Sequence, residues 1–374
     1  MSPTHPGAAP WLLGKATDTG DQSMDVAIIG ASGDCGREVV TQLIGSRGLA
    51  STERLQLVGR AEGRSAKILA GMCTDLEDAY AEMAPELDVA LHPEEIVADV
   101  IVMAAGATVG GAVGSRADLA QVNLPIFEQY ARAIAHHGSG HELVVVVTNP
   151  QELAVEVFSR HLGRHRVIGI GAYSDSLRFR REIAVELGVR RQLVQGFVVG
   201  EHGENMLPLW SSVRIQGMDT DELQSILQRL RQGHAIRDFP ALVAQEKQGV
   251  MDLLGQGDIA AAYAAVSRLS PDLRVVIKPF VTHLSGAKTI SATANVTVDL
   301  VQALLDGREI VVSGQVQLDG EFYGVRTPMG VPIVVTPFGW TQVVAVQLWE
   351  EEAQLLQRIA TTLSKRIQED LRHG

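Results

Sequence analysis

The sequence predicts an α/β protein in which a doubly wound parallel sheet precedes an α+β region. Three observations carry this. Short apolar runs recur with helical patterns between them: Leu55 to Val58, Val100 to Ala105, Leu143 to Thr148 and Val167 to Ile170. Such alternation is the mark of βαβ units. A glycine loop, Gly30 to Gly36, joins a strand-like run to a helical stretch. Beyond Ala172 the pattern changes, with strand-like runs at Leu193 to Val199, Ile310 to Val316 and Val331 to Val335 among longer helical segments.

Taken in order, residues 1–23 carry Pro3, Pro6 and Pro10 and show no basic start followed by an apolar stretch. They read as a flexible extension, with Trp11-Leu12-Leu13 as an anchor if it serves assembly. Met24 to Ile29 reads as a buried strand. It runs into Gly30-Ala31-Ser32-Gly33-Asp34-Cys35-Gly36, then into a helix bearing Val39, Val40, Leu43 and Ile44. Glycines at Gly30, Gly33 and Gly36 let the backbone approach a diphosphate, and the helix N-terminus behind them favours negative charge. Helices are expected over Leu119 to His136 and Glu152 to His161. The first domain is placed at 24–171 and the second at 172–374.

The second domain opens with a helix over Asp175 to Leu187. Residues 216–286 read as inserted helices. Asp219-Thr220-Asp221-Glu222 forms a capped start, followed by Leu223, Ile226, Leu227 and Leu230 at helical spacing. Further helical pieces extend to Ser270-Pro271, and an amphipathic helix over Leu348 to Ile367 closes the chain.

The chain of 374 residues is 46% hydrophobic and 20% charged, enough for a sizeable core. Its net charge is −12, and no lysine- or arginine-rich block interrupts it, so no nucleic-acid partner is expected. No apolar run approaches a membrane span, so no membrane partner is expected either. Two cysteines, Cys35 and Cys73, have neither metal spacing nor a disulfide framework. They point to a reducing, cytoplasmic setting without a metal site.

The chemistry concentrates in two segments, Asp175-Ser176-Leu177-Arg178 and Gly200-Glu201-His202-Gly203. A neutral histidine can take a hydroxyl proton. An aspartate can fix its tautomer and stabilise the imidazolium. An arginine can grip a carboxylate bidentately. Together they form a kit for oxidising a 2-hydroxy acid. The plainer alternatives are a turn histidine between glycines and a solvated ion pair between residues three apart on a helix.

The series of motifs resembles the L-lactate/L-malate dehydrogenase family over roughly 24–215 and 285–360. It comprises the glycine loop, Ala105-Gly106, Gly114-Ser115-Arg116-Ala117-Asp118-Leu119 with Asn123, Val147-Thr148-Asn149-Pro150, Val167-Ile168-Gly169, Asp175 to Arg178, and Gly200 to Gly203. The resemblance implies a Rossmann-type first domain and hydride transfer between NAD or NADP and C2 of a 2-hydroxy or 2-oxo acid. The substrate would be malate/oxaloacetate or lactate-like. His202 would move the proton, Asp175 would orient it, and Arg178 would bind the substrate carboxylate. Arg116, on a mobile loop, would polarise the C2 carbonyl. Asn149 would touch nicotinamide or substrate, Thr289 would place a hydroxyl near the substrate, and Asn123 would serve the cofactor. A homo-dimer or homo-tetramer is expected.

Two departures stand out. NAD-specific members end the second strand on an acidic residue that holds the ribose hydroxyls. Here Leu55 to Val58 runs into Gly59-Arg60, then Glu62, Arg64 and Ser65, which resembles the NADP-dependent malate dehydrogenases. Gly59, Arg60, Arg64 and Ser65 are therefore cofactor candidates, and NADP is slightly favoured. The second departure is in the stretch Ala107 to Gly114, where malate enzymes carry an arginine for the distal carboxylate and this chain has no cation. Either the pocket takes a bulkier 2-oxo acid, or Lys288, Arg229, Arg231 or Arg237 reaches in. The rival from another class is a non-catalytic dinucleotide sensor, which would have no need of His202, Asp175 and Arg178. A second rival, the NAD-dependent glycosidases, needs a metal site in the second domain, where this chain has no cysteine.

Overall fold

A computed structural model describes residues 24–107 and 116–373, without the side chains of Arg116, Ala117, Thr220 and His373. The expectations for 1–23, for the loop at 108–115 and for the Arg116 side chain fall outside the described residues.

The amino-terminal half alternates strand and helix. Its elements are β1 (Val26–Ile29), α1 (Asp34–Gly45), β2 (Arg54–Val58), α2 (Ser65–Ala79), β3 (Glu86–Ala90), β4 (Val100–Met103), α3 (Arg116–His137), β5 (Leu143–Val146), α4 (Gln151–Leu162) and β6 (Val167–Gly169). The strands pair in parallel in the order β3-β2-β1-β4-β5-β6. β1 and β4 are buried along their whole length, as a sheet covered by helices on both faces requires. This is the doubly wound dinucleotide-binding order, in which ligands gather at the carboxyl ends of the strands.

The remaining elements are α5 (Gly171–Leu187), β7 (Val194–Gly200), β8 (Met206–Ile215), α6 (Thr220–Leu230), α7 (Phe239–Gly255), α8 (Ile259–Ser267), α9 (Pro271–Thr282), α10 (Ile290–Leu305), β9 (Ile310–Gln317), β10 (Pro328–Thr336), β11 (Gly339–Val343) and α11 (Glu350–His373). Here the strands pair antiparallel. β9 joins the parallel set where Gln315 faces Gly169, and the order continues β10-β7-β8, with β11 on β10. A parallel set and an antiparallel set thus join at β6 and β9 into one continuous sheet, and the α/β class with a parallel first half is as the sequence led us to expect.

Three strands are additions to the sequence reading: β3, β8 and β11. β8 contains Pro208 yet runs for ten residues, because it is the outermost strand of the order and its second edge has no ladder to feed. The helix expected from Asp175 begins four residues earlier, at Gly171. Its first amides are satisfied from a distance. Gly171 N–H donates to Gln151 Oε1 (2.8 Å) and Ala172 N–H to Gln315 Oε1 (2.9 Å). The caps come from 20 and 143 residues away, so no local signal marks this start.

Residues 216–286 form α6 to α9, with α6 capped by Asp219 as expected, its side chain accepting from Glu222 N–H (2.9 Å). Ser270 precedes Pro271 at the start of α9. α9 is tied to α5 by a largely buried ion network in which Glu182 meets Arg274 (3.3 Å) and Lys278 (2.9 Å). α9 therefore packs against the element that carries Asp175 and Arg178, and α7 and α8 pack on α9. Among the described residues, no helix is long and apolar enough to cross a membrane.

Candidate active site

The first part of the site is the glycine loop. Gly30 has φ +87°, and a Cβ there would fall 2.7 Å from the Ala105 backbone; one at Gly36 would fall 2.2 Å from Gly30 O. Both positions exclude a side chain, so the loop stays tight and its backbone open. Gly33 caps α1, donates to Gly30 O (3.0 Å) and accepts from Arg37 N–H (2.9 Å). The cradle fits the diphosphate of a dinucleotide: bare backbone, a helix N-terminus and no Cβ in the way. Cys35 is half-buried in this loop. Burial, with Glu38 and Asp34 nearby, pushes its thiol up to about 11.

At the end of β2, Gly59 is buried, and a Cβ there would fall 2.4 Å from Ser65 Oγ. Ser65 Oγ lies 2.9 Å from Ser32 Oγ and accepts weakly from Arg60 N–H (3.4 Å). One hydroxyl thereby links the glycine loop to the β2–α2 turn. Arg60, Glu62 and Arg64 are all exposed on that turn.

Asn123 holds two loops together. It is fully buried, and its carboxamide is occupied by backbone: Oδ1 accepts from Ala107 N–H (2.7 Å), while Nδ2 donates to Ala107 O (3.1 Å) and Asn149 O (2.7 Å). It ties the end of the β4 loop to the turn after β5 and offers a ligand no free donor. Asn149 itself is exposed and precedes a cis peptide bond to Pro150.

Asp175, Arg178 and His202 come together. Asp175 is completely buried, and its two oxygens are shared. Oδ2 lies 2.8 Å from His202 Nδ1, and Oδ1 accepts from Arg178 Nη1 at 2.7 Å. The side chains of His202 and Arg178 keep about a fifth of their surface, 19% and 21%. The carboxylate thus sits behind, and the imidazole and guanidinium face outward. With Nδ1 turned to a carboxylate it carries the proton, which leaves Nε2 as the acceptor.

The neighbours of His202 explain its placement. A Cβ on Gly171 would fall 2.4 Å from the imidazole Cγ, so the ring lies directly on the first turn of α5. His202 N–H donates to Glu152 Oε1 (2.7 Å). Glu201, also buried, is gripped by Arg366 (2.6 and 3.2 Å) and accepts from Asn205 Nδ2 (2.8 Å). Burial opposes the charge of Arg366, but Glu201 against it more than offsets this, and its pKa is raised. Glu152, Gln151, Gln315, Gly171 and Arg366 all escaped the sequence reading. Gln151 and Glu152 directly follow Asn149-Pro150 and were the findable pair, whereas Arg366 lies 165 residues from its partner.

Of the cations offered as one alternative for the distal carboxylate, Lys288 has its Nζ 3.3 Å from Asp34, in the glycine loop. Arg231 lies over the Trp349 ring (5.5 Å to the centroid) and donates to His234 O (3.2 Å). Arg237 lies 3.8 Å from Asp238. Thr289 is half-buried at the start of α10 with φ +54°.

Comparison with known proteins agrees with this architecture. The family model described as lactate/malate dehydrogenase, NAD binding domain, matches residues 24–169, and that described as lactate/malate dehydrogenase, alpha/beta C-terminal domain, matches 277–373. Malate dehydrogenase 1 of Aquifex aeolicus is 25% identical over 366 residues, covering 92% of this chain and 94% of the relative. The L-2-hydroxycarboxylate dehydrogenase (NAD(P)(+)) of Methanocaldococcus jannaschii is 27% identical over 354 residues, covering 92% and 99%. The crystal structure of Cryptosporidium parvum malate dehydrogenase superposes with a TM-score of 0.70 at 25% identity, covering 93% of this chain and 99% of that one. The chain belongs to the lactate/malate dehydrogenase family. Its class is that of the NAD(P)-dependent 2-hydroxy-acid dehydrogenases of the malate/lactate type.

Proposed function

We propose that the chain interconverts a small 2-hydroxy acid and its 2-oxo acid at His202, Asp175 and Arg178, with the cofactor diphosphate on the Gly30–Gly36 loop. The observation that carries this is the shared Asp175 carboxylate, 2.8 Å from His202 Nδ1 and 2.7 Å from Arg178 Nη1. Bound NAD(P) accepts or supplies the hydride. In the oxidative direction, His202 Nε2 takes the hydroxyl proton as the C2–H bond breaks. Asp175 then faces an imidazolium, and its buried charge stabilises the cation. In the reductive direction the same proton returns to the carbonyl oxygen.

Arg178 uses one N–H on Asp175. Its remaining edge is the natural clamp for the substrate carboxylate, whose position fixes C2. Arg116 begins α3, and we assign it to the carbonyl oxygen. Asn149, which is exposed, and Thr289 are assigned to nicotinamide and substrate contacts. Asn123 acts through the loops it ties together. We place the boundary between the cofactor and catalytic domains at 171/172, where β6 passes into α5.

For the cofactor, the exposed Arg60 and Arg64 with Ser65 favour a ribose 2′-phosphate, and no acidic residue ends β2. NADP preference with NAD use is the reading. The name of the Methanocaldococcus relative, L-2-hydroxycarboxylate dehydrogenase (NAD(P)(+)), fits such dual use. For the substrate, no cation stands in Ala107 to Gly114, and Lys288 and Arg231 are engaged elsewhere. A second carboxylate gains little there. We also assign the chain to a homo-oligomer and to a cytoplasmic setting.

The test is initial-rate oxidation of NADPH and NADH against pyruvate, oxaloacetate and several bulkier 2-oxo acids. Turnover with at least one acid, faster with NADPH, is expected. Dinucleotide binding without turnover on any acid would favour the sensor instead.

A further inference from the structure

An ion pair between Lys288 and Asp34, which joins the second half of the chain to the glycine loop, is a poor candidate for stability. Lys288 Nζ and Asp34 Oδ2 are 3.3 Å apart, and the side chains are 50% and 69% exposed. Such a pair contributes little to folding. Its location is another matter. Asp34 is the first residue of α1, between Gly33 and Gly36, at the helix end where the cofactor diphosphate is read. An aspartate there suits the helix dipole but repels an arriving dianion.

The backbone holds Lys288 in an uncommon way. Gly286, Lys288 and Thr289 have φ +92°, +54° and +54° between α9 and α10. Two consecutive non-glycine residues in the left-handed region are each disfavoured, and such strain gathers at functional segments. The helix that follows the turn, α10, packs along α1, and at their far ends Gln302 Nε2 donates to Ser46 Oγ (2.6 Å). The turn presents Lys288 to Asp34.

We infer that Lys288 is a cofactor-positioning residue: it neutralises Asp34 so that the diphosphate of the dinucleotide can settle on the Gly30–Gly36 loop. The inference rests on that loop holding the diphosphate. In a chain of net charge −12, a local cation is what makes an acidic loop accept a dianion.

The experiment is a double-mutant cycle read by NADH fluorescence titration at low and high salt, using wild type, Lys288→Met, Asp34→Asn and the double variant. Lys288→Met should raise Kd about ten-fold at low salt, as one unit charge near a diphosphate implies, and less at high salt. Asp34→Asn should lower Kd. In the Asp34→Asn background, Lys288→Met should change Kd by about two-fold or less, because the charge it neutralises is gone. Lys288→Arg should stay close to wild type, which guards against a folding artefact. An unchanged Kd in Lys288→Met, or an equal loss in both backgrounds, would overturn the inference while leaving the cofactor site intact. Failure of the wild type to bind NADH would overturn the cofactor site as well.

Discussion

Asp175 is the residue on which the candidate site turns, because it is buried and its two oxygens meet the side chains of Arg178 and His202. Arg178→Lys would replace a planar fork by a point charge. It should raise KM for the 2-oxo acid by about ten-fold or more, with cofactor Kd unchanged. Initial rates against substrate concentration check this, and an unchanged KM would remove Arg178 from the substrate. Cys35 carries a second residue-scale prediction. Its thiol, raised to about 11, holds its proton below that pH, so at pH 8 roughly one molecule in a thousand is thiolate. Alkylation of Cys35, followed by mass spectrometry, should be slow near neutrality and should accelerate as pH rises toward 11. Rapid labelling at pH 7 would contradict the burial.

At the scale of the element, the first turn of α5 matters most. His202 lies on Gly171 with no room for a methyl group. Gly171→Ala should displace the imidazole and cost about 1–3 kcal/mol by overpacking. Urea unfolding and kcat measured together check this, and normal values for both would mean that the ring and helix are not in contact. This element also shows where sequence reading stops. Asp175, Arg178 and His202 were legible because their residue types and motif order carry chemistry. The start of α5 was not, because its caps, Gln151 and Gln315, come from α4 and β9. Asn123 was found as a motif residue, but only its contacts show that its carboxamide is spent on Ala107 and Asn149. β8 was hidden by Pro208, whose tolerance depends on an outermost position that only the sheet order reveals.

On the scale of the whole molecule, the parallel half carries the glycine loop at the end of β1, and the end of β7 brings His202 to Asp175 on the helix that follows β6. The alternation of apolar runs made the parallel half legible. The antiparallel half depends on pairings between distant segments, such as Gly330 with Gly200, which periodicity does not encode. The exposed arginines after β2 carry a prediction at this scale. Replacing Arg60 and Arg64 together by alanine should weaken NADPH binding by about ten-fold or more, since charge-assisted contacts to a phosphate are lost, and leave NADH nearly unchanged. Equal losses for both would place the 2′-phosphate elsewhere. The central claim is that His202 moves the proton. It is tested most directly by His202→Asn, with NADH and NADPH oxidation rates on the best 2-oxo acid measured beside cofactor titrations. A fall in kcat of about a hundred-fold or more with cofactor Kd unchanged is the predicted result. Turnover close to wild type would contradict it.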